Sequence, residues 1–291
     1  MIDPIDSPYR TPFDGSFELE RSPTAPPATA PGRKESKRRL ANKVERLAEL
    51  QRRLYAEDHW SVLLVFQAMD AAGKDGTIRA VLTGVNPAGF QVSSFKQPSA
   101  EELDHDFLWR TTRRLPERGR IGVFNRSYYE ELLVVRVHPE YLGGQRLPRP
   151  ISPEERWPER FASIRQHEEH LARNGCLVLK FWLNVSREEQ RRRFLARIDN
   201  PKKNWKFSAS DVRERGYWYD YMAAYQDVIN ETSRPWAPWY AIPADNKPYM
   251  RLRVAEIVVD ALERLDPQYP ELPEDELRAL AEQRALLMAE E

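Results

Sequence analysis

Asp70 and Lys74 stand four residues apart in Gln67-Ala68-Met69-Asp70-Ala71-Ala72-Gly73-Lys74-Asp75-Gly76-Thr77, a stretch of mostly small residues. A lysine that opens a helix after a tight loop makes a phosphate cradle. Backbone N–H groups converge on the anion, the helix N-terminus adds partial positive charge, and the ammonium adds a full one. In that reading Ala71, Ala72, Gly73, Asp75, Gly76 and Thr77 line the anion, and Asp70 faces Lys74 across the loop. The match to the common pattern G-x-x-x-x-G-K-[ST] is incomplete. Its first glycine falls on Ala68 and its Ser/Thr on Asp75, so a carboxylate stands where a metal-holding hydroxyl is usual. An ordinary strand–turn–helix connection is the competing reading, and it gives no reason for Asp70 and Lys74 to face each other.

A second polar cluster, Asn125-Arg126-Ser127-Tyr128-Tyr129-Glu130-Glu131, directly follows the apolar run Ile121–Phe124. In open α/β sheets ligands lie beyond the strand carboxyl ends, which puts this cluster beside the phosphate loop. Asn125 can orient a ligand or a metal-bound water, Arg126 can fork onto a phosphate, and Glu130 follows one turn later. A polar strand end with surface charges is the alternative. A third segment, 191–206, holds seven Lys/Arg against one Asp and is broken at Asn200-Pro201. It reads either as a solvated helix face or as a mobile lid that brings cations over a transferring phosphoryl group. His167 and His170 lack the spacing of a zinc helix and read as surface residues with Glu168 and Glu169. Cys176, the single cysteine, lies in an apolar run, which excludes an intramolecular disulfide and argues against a nucleophile.

The elements that must carry these residues alternate. Val62–Phe66 reads as a buried strand, and Ile78, Val81, Leu82 and Val85 mark one face of the helix after the loop. Strands follow at 90–95, 121–124, 176–185 and 239–243. Between them, helices are expected over 99–115, from Ser152 to Asn174-Gly175, from the Ser186–Glu189 capping box onward, over 210–231 and over 250–265. Leu40, Val44, Leu47 and Leu54 predict a long amphipathic helix within 36–59 that packs on the domain or on a second subunit. The alternation predicts one α/β domain with a parallel sheet covered by helices on both faces. Residues 1–35, rich in Pro, Ser and Thr, read as a flexible or surface-laid arm outside the core. Residues 36–270 form the domain, with the lid at about 191–210, and 271–291 form a peripheral helix.

With 45 Lys+Arg against 45 Asp+Glu in 291 residues, no global field favours nucleic acid or an acidic membrane, so a polyanion site must come from local clustering. No apolar run approaches membrane-spanning length and the start lacks a leader pattern, which predicts a cytoplasmic protein.

The segments 67–77, Phe95-Lys96-Gln97-Pro98, 124–130 and Asp199-Asn-Pro-Lys-Lys-Asn-Trp-Lys-Phe207, in this order, resemble the type 2 polyphosphate kinase family, and the Asn125 variant looks like its class III. The resemblance implies a P-loop kinase fold with a helical lid and an enzyme that moves phosphate between inorganic polyphosphate and nucleotides. It implies Mg2+ as the cofactor, with Mn2+ as a substitute, and adenine nucleotides as partners, guanine nucleotides being a further option. Together with the 36–59 helix it favours a homo-oligomer, while the balanced charge, the lack of a base-reading motif and the lack of a long apolar run argue against nucleic acid and membrane as partners. Carried onto matching positions, Asp70 and Lys74 belong to the phosphate loop. Asn125, Arg126 and Glu130 belong to the second motif, Lys96 to the segment between them, and Arg193, Arg197 and Lys206 to the lid. Asp70, Asn125 and Glu130 are the metal candidates. An ATP-dependent nucleotide kinase of the same fold and a non-catalytic polyphosphate-binding protein are the rivals.

Overall fold

A strand buried on both faces has no solvent side to alternate toward, so continuous apolar runs become central strands. In the computed structural model, which describes residues 3–148, 152–202 and 204–290, β1 (Ser61–Gln67) is buried at every position and β4 (Cys176–Asn184) at all but one. The edge strand β2 (Phe90–Ser94) is open to solvent along its length. With β3 (Ile121–Asn125) and β5 (Trp239–Pro243) they form a five-stranded parallel sheet in the order β2-β3-β1-β4-β5. The helices are α1 (Arg33–Glu57), α2 (Lys74–Leu82), the single turns α3 (Ala100–Leu103) and α4 (Trp109–Thr112), α5 (Val134–Val137), α6 (Pro153–Arg173), α7 (Arg187–Ile198), α8 (Ala209–Gly216), α9 (Trp218–Thr232), α10 (Lys247–Leu265) and α11 (Glu274–Met288). α10 packs on β4 and β5 and carries α1 and α2, while α6 packs on β4 with α9 alongside. The sheet is covered on both faces, and α1 buries Leu47, Leu50 and Leu54 against its own domain.

The register positions the site. β1 and β3 pair from Val62 opposite Ile121 to Phe66 opposite Asn125, so their carboxyl ends finish level. One residue on, the Arg126 N–H donates to the Phe66 carbonyl at 3.1 Å and ties the two loop entrances together.

Three expectations about the helices need correction. The helix expected over 99–115 forms only α3 and α4. Its Ser99/Glu102 capping box is present, but Asp106 accepts the Leu108 N–H at 2.9 Å, a local turn that competes with the helical ladder. The capping box at Ser186 is half made: Ser186 accepts the Glu189 N–H, but the Glu189 carboxylate turns to Arg192 and Arg193, and the Ser186 N–H goes to Asp245. The helix expected over 210–231 divides into α8 and α9 at Gly216-Tyr217.

The arm expected to lie outside the core enters it. The Thr11 N–H donates to the Trp239 carbonyl at 3.0 Å and the Ala241 N–H to the Tyr9 carbonyl at 2.8 Å, which covers the open edge of β5. Ile5, Tyr9 and Phe17 are buried, and the Phe17 ring meets Trp182 edge-on at 6.2 Å. By contrast α11 is exposed throughout, its Leu277, Leu280, Leu286 and Leu287 included. An arm docked this way predicts that Phe17→Ala lowers stability by about 3 kcal/mol in urea unfolding, as for other buried phenylalanines. A detached arm would leave the midpoint unchanged.

Candidate active site

The loop between β1 and α2 is built for close backbone approach. Gly73 caps α2 at φ 113°, a conformation that other residues rarely adopt, and Ala71 is left-handed at φ 62°. Lys74 folds back over the loop, its Nζ donating to the Ala68 carbonyl at 2.7 Å. Burial, reinforced by the nearby Arg126, pushes the Lys74 ammonium below its usual pKa, while Asp70, Glu130 and Asp75 oppose that shift. Thr77 donates to the Gly73 carbonyl at 3.0 Å and is fully buried, so its hydroxyl serves the helix turn.

The second cluster lies directly beside the loop. Arg126, itself left-handed at φ 62°, reaches Asp70 Oδ1 at 2.9 Å with one terminal nitrogen and Glu130 Oε2 at 3.0 Å with the other. Glu130, and after it Asp70, hold this guanidinium well above its ordinary pKa against the cost of burial. The remaining Glu130 oxygen lies 3.0 Å from the Gln67 amide nitrogen when that amide takes the orientation its neighbours require, with its oxygen toward Ser127. Asn125 donates to Asp75 Oδ1 at 2.8 Å, which leaves its amide oxygen for a ligand. Glu131 turns away from this cluster toward Arg160 and Gln145.

Among the expected lid cations, Arg193 sits behind the loop. It donates to the Ala71 carbonyl at 3.1 Å, the Ala72 carbonyl at 2.5 Å, the Ala244 carbonyl at 2.6 Å and the Asp245 carbonyl at 3.2 Å, and its Nε meets Glu189 at 2.6 Å. A guanidinium bound on every side clamps the loop to the β5–α10 connection. Arg197 joins α7 to α8 through Asp211 at 3.3 Å. The backbone of Lys206 ends a short 3-10 turn, and its side chain lies outside the described residues, as does Lys203. Lys96 is exposed and lines a cleft of about 470 Å3 with Arg110 and Arg114 on one side of β2. Asp75, Asn125, Arg79 and Phe90 line a second cleft of about 440 Å3 on the other.

Sequence reasoning missed three further residues. Gln190 donates to the Asp70 carbonyl at 3.0 Å. The Arg251 guanidinium lies 3.0 Å from the space a side chain at Gly76 would occupy, so only glycine fits there without displacing it. Its buried Nε has no hydrogen-bond partner, and burial with Arg79 and Arg193 nearby lowers its pKa. Gln67 braces Glu130 as described. Gln67 opens the loop motif and was within reach of pattern reading, whereas Gln190 and Arg251 come from distant helices and carry no local signal. Cys176 is buried, and its thiol is pushed up to about 11 by that burial, so it takes no part.

The sequence profile of the family described as Polyphosphate kinase 2 (PPK2) matches residues 31–270. The chain belongs to the polyphosphate kinase 2 family. It is 56% identical over 250 residues to the ADP-polyphosphate phosphotransferase of Rhodopseudomonas palustris, covering 86% of each chain. It is 45% identical over 264 residues to the AMP/ADP-polyphosphate phosphotransferase of Meiothermus ruber, covering 90% of this chain and 95% of that one. The crystal structure of Polyphosphate Kinase 2 from Arthrobacter aurescens TC1 superposes with a TM-score of 0.85 at 37% identity, covering 94% of this chain and 95% of that one. The fold is therefore the P-loop kinase-like α/β fold of this polyphosphate kinase 2 structure.

The position of Arg193 predicts that Arg193→Met lowers stability by about 2–3 kcal/mol, because buried carbonyls lose their donors, and lowers kcat with it. Urea unfolding and steady-state kinetics on one preparation check this. A fall in kcat at an unchanged unfolding midpoint would put the side chain over the substrate instead.

Proposed function

We propose that this polyphosphate kinase 2 family member is an Mg2+-dependent phosphotransferase that moves phosphate between inorganic polyphosphate and both nucleoside mono- and diphosphates, from AMP to ADP to ATP. One observation carries the reading: Arg126 spans Asp70 and Glu130 beside the buried Lys74, so cations and carboxylates interleave over a phosphate cradle. The names of the Rhodopseudomonas and Meiothermus relatives, one for ADP and one for AMP and ADP, support the substrate class. Asn125 favours the broader acceptor range through its resemblance to class III.

In this account Lys74 and the N–H groups of Gly73, Lys74, Asp75 and Gly76 at the start of α2 hold the acceptor phosphate, while the Ala72 and Thr77 N–H groups stay within the loop and the helix turn. Its oxygen attacks the terminal phosphorus of polyphosphate, the bond to the next bridging oxygen breaks, and the shortened chain leaves in line, with no covalent enzyme intermediate. Arg126 neutralises the transferring group, and Arg197 with the lid residues after it closes over that group, Arg193 remaining behind the loop. Among the described residues no group of three or more His, Cys, Asp or Glu could cage a metal. Mg2+ binds through one or two carboxylates and substrate phosphates and keeps several waters. Asp70 and the Asn125 amide oxygen would hold it. Glu130, with both oxygens engaged, serves Arg126 instead. The bound ion would offset phosphate charge and so allow the two anions to approach. Among the described residues no helix is long and apolar enough to cross a membrane. The profile match supports 36–270 as the catalytic domain.

Purified protein given AMP, or separately ADP, with long-chain polyphosphate and Mg2+ but no ATP is expected to yield ADP and then ATP by chromatography. ATP from ADP alone would remove Asn125 as a mark of the broad acceptor range. No product until ATP is added would identify an ATP-dependent nucleotide kinase. Lys74→Met is expected to lower turnover at least about a hundredfold, as loss of one transition-state cation or donor does elsewhere.

A further inference from the structure

Beneath the reactive face of the turn after β3 lies a charged network that no step of the transfer uses. Tyr128 and Tyr129 stand between Arg126 and Glu130 in sequence, but their side chains point the opposite way, into the core. Both hydroxyls donate to the same oxygen, Glu168 Oε1, at 2.9 and 2.7 Å. The other oxygen of Glu168 accepts from Lys180 Nζ at 2.6 Å, and Glu168 on α6 and Lys180 on β4 are both 0% exposed. Lys180 places its other two protons on the Tyr129 hydroxyl and the Thr232 carbonyl, each at 2.8 Å, and lies over the Tyr129 and Trp239 rings. Every donor of the ammonium is thus satisfied.

A buried ion pair is a poor means of gaining stability, because desolvation offsets the attraction, whereas a fully satisfied buried network fixes geometry. The turn needs such fixing. Arg126 is held in a left-handed conformation without being glycine, and such a conformation persists only where its surroundings determine it. We propose that Lys180 and Glu168 are positioning residues that hold Tyr128 and Tyr129, and through them the reactive placement of Arg126 and Glu130. This rests on the phosphotransfer reading above, in which Arg126 meets the transferring group.

The test compares two charge-neutral pairs, Glu168→Gln/Lys180→Met and Glu168→Leu/Lys180→Met, with the wild type in the polyphosphate–ADP assay and in thermal melts. The Gln pair retains an oxygen that both hydroxyls can reach, and the Leu pair retains none. The Leu pair is expected to lose about tenfold in kcat with KM for ADP and polyphosphate within about twofold, while the Gln pair stays within about threefold of the wild-type kcat. Equal kcat in the two pairs, whether wild-type or reduced, would overturn the proposal. If the Leu pair fails to fold, Tyr128→Phe takes its place: about a threefold loss of kcat at unchanged KM supports positioning, and unchanged kcat refutes it. An inactive wild type in the same assay would count against the function itself, so the two failures are distinguishable.

Discussion

The Arg126 guanidinium is the constraint on which the rest of this site depends. It joins the β1–α2 loop, through Asp70, to the turn after β3, through Glu130, and it does so because the parallel register ends both strands at one level. Without that bridge two carboxylates would face each other across a cleft meant to receive polyanions. In the proposed account the bridge also neutralises negative charge before substrate arrives and orients a cation toward the place where charge moves. A planar fork serves this better than an ammonium, since two carboxylates are held at fixed angles at once.

The supports of that bridge come from all parts of the chain. Arg193 holds the loop from behind and fastens it to the β5–α10 connection. That connection is in turn held by the N-terminal arm, the Asp245 N–H donating to the Thr24 carbonyl at 2.9 Å, and the neighbouring end of β4 is held likewise, Asn184 donating to the Ser22 carbonyl at 3.0 Å. The second motif is fixed from below by tyrosines that reach a buried carboxylate. Cationic side chains thus serve different ends, Arg193 being bound to carbonyls that shape the loop and Arg126 to the two carboxylates in front of it.

What the sequence made legible follows from what is local. Five strands and their alternation with helices were readable because β1 and β4 are apolar at nearly every position, and the phosphate loop because Gly73-Lys74 opens a helix. Asp70, Arg126 and Glu130 were readable as neighbours because strand ends in such sheets converge. The arm was misread because low hydrophobicity hides the few residues, Ile5, Tyr9 and Phe17, that dock it. Glu168 was misread as a surface residue since nothing near it in the sequence shows its partner. The one available signal was Lys180 itself, a lysine within an otherwise apolar strand that had to find a carboxylate. Arg193 was assigned to the lid by its charge, and only the fold reveals that it faces carbonyls.

If Arg126 and Glu130 act as one unit, their losses must not multiply. A double-mutant cycle on kcat/KM for polyphosphate, with Arg126→Met, Glu130→Gln and the combination, tests this most directly. The account predicts that the double variant lies within about threefold of Arg126→Met alone, since Glu130 matters chiefly through the guanidinium it holds. Losses that multiply would mean that Glu130 meets substrate or metal independently, and the bridge would no longer be the centre of the site.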